Sequence, residues 1–226
     1  MAMCGRFTLY ADPEFLSEYV ELENIAEIDL QPRFNIAPSQ PVLTMVQGVN
    51  GFRGGYMRWG LIPFWAKDPS AGYKMINARL ETVQEKRSFR PLVGKRHCLI
   101  IADGFYEWKK EKTGKQPFYI RLATGEPLLF AGLWDRWKDG DGKETISCTI
   151  LTTAANDLMK ELHDRMPVIV PKEKWGEWLQ LKAVDEQRAE PFFRPFPSKL
   201  MHAYPVSTMV NHPKNNSADC IREIRL

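Results

Sequence analysis

The sequence predicts an α+β fold in which mainly antiparallel sheets curl into a barrel-like core, a few helices flank it, and residues 1–226 form one domain. Three observations carry this reading. Segments with strand character follow one another across short turns rich in Gly, Asn and Asp, and strands joined that way pair antiparallel. Helical patterns interrupt these segments instead of alternating with them, which excludes a doubly wound parallel sheet. No repeat, low-complexity tract or linker-like stretch divides the chain, and 226 residues suffice for one sizeable core.

The elements follow in order. Asp12-Pro13 supplies a cap residue and a first-turn proline, and Phe15, Leu16, Tyr19 and Val20 share an apolar face, so a helix runs from there to about Ile25. Pro41 to Gln47 reads as a strand, Gly48 to Gly51 as a turn containing Asn-Gly, and Phe52 to Leu61 as the returning strand. Three further hairpin-like steps are His97 to Trp108, Pro117 to Leu122 after Thr113-Gly114-Lys115, and Pro127 to Trp137 after Thr124-Gly125-Glu126. Lys138 to Lys143 is a turn rich in Asp and Gly, and Thr145 to Thr153 is another strand. Asn156 to His163 and Lys172 to Leu181 read as helices, with Met166 to Val170 as a short strand between them. Asn211 to Asn216 is polar and expected to be irregular.

Composition narrows the function classes. A formal charge of +3 is mildly basic, below what a dedicated nucleic-acid binder usually carries, so charge alone selects no partner. Charges or prolines interrupt every apolar stretch, so no membrane span or membrane partner is expected. The start lacks the basic, apolar, small-residue order of a secretory signal, and a cytoplasmic location follows. Cys4, Cys98, Cys148 and Cys220 lie far apart with no C-x-x-C pair, which points to reduced thiols rather than disulfides or zinc. No ligand cluster and no glycine-rich phosphate loop is present, so neither a metal nor a nucleotide cofactor is expected.

Five short stretches stand out: Cys4-Gly5-Arg6-Phe7, Arg33-Phe34-Asn35-Ile36-Ala37-Pro38, Met75-Ile76-Asn77-Ala78-Arg79-Leu80-Glu81-Thr82, Ala102-Asp103-Gly104-Phe105-Tyr106-Glu107-Trp108, and His163-Asp164-Arg165-Met166-Pro167-Val168. Each alone has an ordinary explanation: Asn77 as a helix cap, Glu107 as a solvated charge, His163 as a complement to a helix dipole. In this order and combination they resemble the SOS response associated peptidase (SRAP) family, whose members shield abasic sites in DNA by covalent attachment. The resemblance extends from Cys4 to about Asn216.

In that family the initiator methionine is removed, which leaves a cysteine with a free α-amine beside its thiol. The family start corresponds to Met3, so Met1-Ala2 reads as an addition or a misassigned start. While those residues stay attached, the nitrogen of Cys4 is an amide and only its thiol can react. A freed amine, with a reference pKa of about 7.7–8.0, is partly neutral near pH 7 and attacks the aldehyde of a ring-opened abasic sugar to give a Schiff base. The thiol of the same residue then closes onto the imine carbon as a five-membered thiazolidine, a step favoured because it is intramolecular.

The resemblance implies the remaining roles. Glu107 assists ring opening and proton movement at the sugar, His163 serves a second proton transfer, and Asn77 orients the terminal residue or the adduct. Arg79 and Arg165, with Arg6 as a further candidate, are implied to contact phosphates. Phe64-Trp65 falls where relatives carry aromatics near DNA and is read either as a base-stacking pair or as core. Trp108 is expected in the core, and Arg87, Arg90, Lys95 and Arg96 form a basic region outside the site. The implied partner is single-stranded DNA containing abasic sites, bound by a monomer. Two other readings stand beside this one: a cysteine peptidase that acts on its own leader through Cys4 and His163, and a non-covalent single-strand binding module.

Overall fold

The computed structural model describes residues 5–112, 114–182, 192 and 194–226; Met1, Ala2 and Cys4, and Thr113 of the expected turn, lie outside them. Among the described residues the strands are β1 (Phe7–Leu9), β2 (Arg33–Ile36), β3 (Pro41–Gln47), β4 (Phe52–Trp59), β5 (Asn77–Arg79), β6 (His97–Ala102), β7 (Gly104–Glu111), β8 (Gly114–Leu122), β9 (Leu128–Lys138), β10 (Glu144–Ala154), β11 (Arg165–Pro167) and β12 (Met201–Pro205). The helices are α1 (Pro13–Val20), α2 (Asp157–Lys160) and α3 (Trp175–Leu179). None is long and apolar enough to cross a membrane.

The fold is α+β, as expected. Strands β10, β4, β3, β6 and β9 lie side by side in that order, and β9 pairs back onto β10, so the sheet closes into a barrel with no free edge among these five. The closing seam runs from Glu144 opposite Lys138 to Ile150 opposite Gly132. A second sheet, ordered β12-β8-β7-β1-β2, packs against the barrel. Phe7 of β1 ties the second sheet to the barrel core, with its ring edge-on to Trp59 at 5.0 Å and to Phe130 at 5.9 Å.

Strand pairing departs from the expectation at β10. Its contacts with β4 and β5 are parallel, because these strands are separated by long stretches of chain and are not hairpin neighbours. The hairpin-like step expected over His97 to Trp108 is two strands in different sheets, divided at buried Asp103. Asp103 Oδ2 accepts hydrogen bonds from the amides of Tyr10 and of Ala11, the latter at 2.9 Å, and so ties the chain leaving β1 to the crossing point. Gly104 is required there: a Cβ on it would sit 2.4 Å from the Tyr119 ring.

The helices are shorter than the periodicity indicated. Asp12 caps α1 through the amides of Glu14 and Phe15, and Leu16 and Val20 face the core, but the helix stops at Val20. Glu21 there takes a left-handed φ of 51°, and Leu22 turns away to bridge Phe52. Asn156 caps only the four residues of α2, and the segment from Lys172 begins as a 3-10 turn before α3. Of Met166 to Val170, β11 takes the beginning, while Ile169 makes an isolated bridge to Phe130. Asn211 to Asn216, expected to be irregular, continues from the 3-10 turn Thr208–Asn211 and contains neither helix nor strand beyond it.

Candidate active site

The start of the described chain runs into a pocket of about 470 Å³. Gly5, Arg6, Pro38, Ile76, Trp108, Lys115 and Asn211 line it. Four of the five motifs thus contribute to one wall: Gly5 and Arg6 from the first, Pro38 from the second, Ile76 from the third and Trp108 from the fourth. The β1–β7 pairing is what achieves this. Phe7 stands opposite Phe105, Thr8 opposite Gly104, and the Tyr106 amide donates to Arg6 O at 2.9 Å, so the residues before Phe7 are directed toward Glu107 and Trp108. Cys4 itself lies outside the described residues.

Glu107 is buried, with 4% of its surface exposed, and its Oε1 accepts from the Trp108 amide at 3.2 Å. A solvated strand-end carboxylate is therefore not what the fold makes of it. Asn77 follows pocket-lining Ile76 and opens β5, opposite Ile150 of β10. Trp108, expected in the core, is instead a partly buried wall of the pocket. Its Nε1 donates to Asn211 Oδ1 at 2.7 Å, and the Arg6 guanidinium lies 6.0 Å from its ring centre.

Arg6 is pinned rather than extended. Its Nη1 donates to Asn35 Oδ1 at 2.7 Å and to Val210 O at 2.8 Å. Burial lowers its pKa from the ordinary arginine value, against the opposing influence of Tyr106 and Cys220. The sequence reading gave Asn35 no role, although it stands inside the second motif. It is 3% exposed, and its Nδ2 faces the carbonyls of Val210, His212 and Asn215 at 3.2, 3.1 and 2.7 Å. Phe34 N donates to Asn216 Oδ1 at 2.7 Å beside it. The second motif thus clamps the C-terminal segment that brings Asn211 over Trp108.

A second group gathers at the end of β10. Arg79 on β5 pairs in register with Thr152, and Arg165 on β11 with Ala154, so β10 runs between them. Arg165 forms a two-pronged ion pair with Glu81, both N–O distances being 2.7 Å, and also donates to Thr152 O at 2.6 Å. Burial pushes the Glu81 carboxyl up, but hydrogen bonding and charge from Arg165 outweigh it and leave the pKa below the usual carboxylate value. Arg165 is accordingly held between an acid and a carbonyl, whereas Arg79 is exposed. His163 Nδ1 lies 2.7 Å from Asp164 Oδ1 and 3.1 Å from the Arg165 amide. One nitrogen cannot serve both at once: unprotonated, Nδ1 accepts from the Arg165 amide, and protonated it donates to Asp164.

Phe64 and Trp65 are on the surface, 62% and 40% exposed, so the core alternative for this pair does not hold. The Phe64 amide is fixed on Asp135 Oδ2 at 2.9 Å, and the Arg87 guanidinium lies 4.6 Å from the Trp65 ring centre. Arg96 of the same basic region pairs with Asp135 at 2.7 Å. Among the described residues no three His, Cys, Asp or Glu side chains come together as a metal site would need.

A family model described as SOS response associated peptidase (SRAP) matches residues 3–213. The abasic site processing protein YoqW of Bacillus subtilis (strain 168) is 46% identical over 222 residues, 97% of this chain and 99% of that protein. The abasic site processing protein YoaM of the same organism is 45% identical over 222 residues, 97% of each chain. A crystal structure of a protein from Bacteroides thetaiotaomicron, 24% identical, matches with a TM-score of 0.83 over 98% of this chain and 100% of its own, a likeness of fold. With four of its five motifs converging on one pocket, and with relatives of this similarity along nearly its whole length, the chain belongs to the SOS response associated peptidase (SRAP) family.

Proposed function

We propose that this protein processes abasic sites in single-stranded DNA and captures them covalently through Cys4 once that residue is the N-terminus. The observation that carries the proposal is the position of Gly5, the residue next to Cys4, in the wall of the pocket that Trp108 and Ile76 also line, with buried Glu107 adjoining. Relatives 46% and 45% identical are named abasic site processing proteins, which supports the same reading.

The chemistry proceeds in a condensation followed by an intramolecular addition. The Cys4 amine adds to the C1 aldehyde of the opened sugar; a carbon–nitrogen bond forms, the carbinolamine loses water, and an imine remains. The thiol sulfur then bonds to the imine carbon while its proton passes to nitrogen, which closes the thiazolidine without any oxidant or reductant. Glu107 is the group that moves protons at the sugar oxygen, and His163 relays a second proton. Asn77 orients the reacting residue. Exposed Arg79 is the phosphate contact, Arg165 acts through the Glu81 pair beside it, Arg6 holds the pocket wall through Asn35 and Val210 O, and Phe64 and Trp65 stack on bases flanking the lesion.

The test uses protein whose first residue is Cys4, incubated with a single-stranded oligonucleotide carrying one abasic site and resolved under denaturing conditions. A retained adduct is expected for the parent, its loss in Cys4→Ala, and slowed formation in Glu107→Gln. An adduct of equal yield in Cys4→Ala, or none in the parent, refutes the proposal.

A further inference from the structure

We propose that Tyr73 and Arg58 form a stacking subsite on the rim of the pocket that receives a nucleobase next to the abasic nucleotide. The inference rests on the function proposed above and adds a binding site to it. Tyr73 lies in the 3-10 segment Pro69–Lys74 and is 63% exposed, more than either Phe64 or Trp65. Exposure of the ring leaves its face open to a flat ligand. The Arg58 guanidinium lies 5.4 Å from the Tyr73 ring centre, so the ring has a cation beside it.

Chain connections on both sides tie this pair to the pocket. Arg58 Nη1 donates to Ser39 O at 3.3 Å, and Ser39 follows pocket-lining Pro38. Three residues after Tyr73 comes Ile76, which also lines the pocket. Arg58 Nε is buried without a hydrogen-bond partner, an unused donor at the same place.

The pair is also rigidly placed, as a stacking platform must be. Leu61 N donates to Met75 O at 3.1 Å, and Trp59 Nε1 donates to Ile76 O at 2.9 Å. Gly60 and Gly72 touch so closely that a Cβ on either would sit 2.6 Å from the other's carbonyl oxygen. Lys67 and Lys74 are exposed on the flanks, and the nearby acid, Asp68, is engaged in capping Ser70. Electropositive flanks around an exposed ring match a single strand, whose phosphates seek cations while its unpaired bases seek flat surfaces.

The experiment uses single-stranded oligonucleotides with one abasic site and 2-aminopurine placed one nucleotide to the 5′ or the 3′ side. Binding to the parent is expected to quench 2-aminopurine in both placements, in one through Tyr73 and in the other through Phe64 and Trp65. Tyr73→Ala should abolish quenching in its placement alone and weaken affinity roughly tenfold, as loss of one stacked base does, while Tyr73→Phe retains both. The thermal midpoint of Tyr73→Ala should match the parent, and its adduct yield at saturating DNA should remain. Quenching that survives Tyr73→Ala in both placements, or that is lost from both in Phe64→Ala or Trp65→Ala, overturns the assignment. Because binding is read before any covalent bond is formed, failure of the adduct test and failure of this one are distinguishable.

Discussion

Asn35 is the residue whose removal tests most directly how the pocket is held. In Asn35→Ala, the two Nδ2 protons shared among the Val210, His212 and Asn215 carbonyls are lost, together with the acceptor for Arg6. Two neutral bonds at roughly 1 kcal/mol each and one bond to a charged group at roughly 2 kcal/mol set the gross loss. Arg6 keeps Val210 O, and water can reach part of the freed segment, so the net destabilisation should be about 3 kcal/mol. For a domain of this size that lowers Tm by about 6–12 °C. Asn35→Asp keeps the acceptor for Arg6 but points a buried carboxylate at three carbonyl oxygens, and should fare no better. Thermal unfolding measures the magnitude, and amide hydrogen exchange of residues 210–216, faster in both variants, locates it. A Tm unchanged from the parent, or exchange that accelerates uniformly along the chain, would refute the clamp.

Two further outcomes follow from particular contacts. Gly72→Ala places a Cβ 2.6 Å from Gly60 O and 3.2 Å from Ile62 Cγ1, so backbone must move, at a cost of about 1–3 kcal/mol in denaturant unfolding and with displacement of Tyr73. Burial pushes the Asp103 carboxyl up to about 6 against the two backbone amides that favour its ionised form. The folded state therefore binds this proton more tightly than the unfolded state, and stability through this group falls as pH rises from about 4 to 6, by about 3 kcal/mol. Asp103→Asn can still accept from Tyr10 and Ala11, since both bonds fall on one oxygen, so its stability measured between pH 4 and pH 6 should lack that slope.

Much of the barrel was legible in the sequence, because β3 and β4 are joined by a turn carrying Asn-Gly and β9 and β10 by one rich in Asp and Gly, and local turn chemistry specifies such pairs. β1, β2 and β5 were not, since three or four residues carry no readable period and their partners are chosen by distant chain. Trp108 was misplaced for the same reason: nothing local distinguishes an aromatic that closes a pocket from one that fills a core.

The sequence by itself determined the turn-joined strands, the cap that starts α1, and the motifs that mark the family. The tertiary structure alone decided that Asn35 holds a carbonyl 180 residues away and that Arg165 spends its charge on Glu81, 84 residues away. Contacts over such separations depend on closing the barrel and seating β1 against β7, so their partners are set by shared space and leave no spacing in the chain to read.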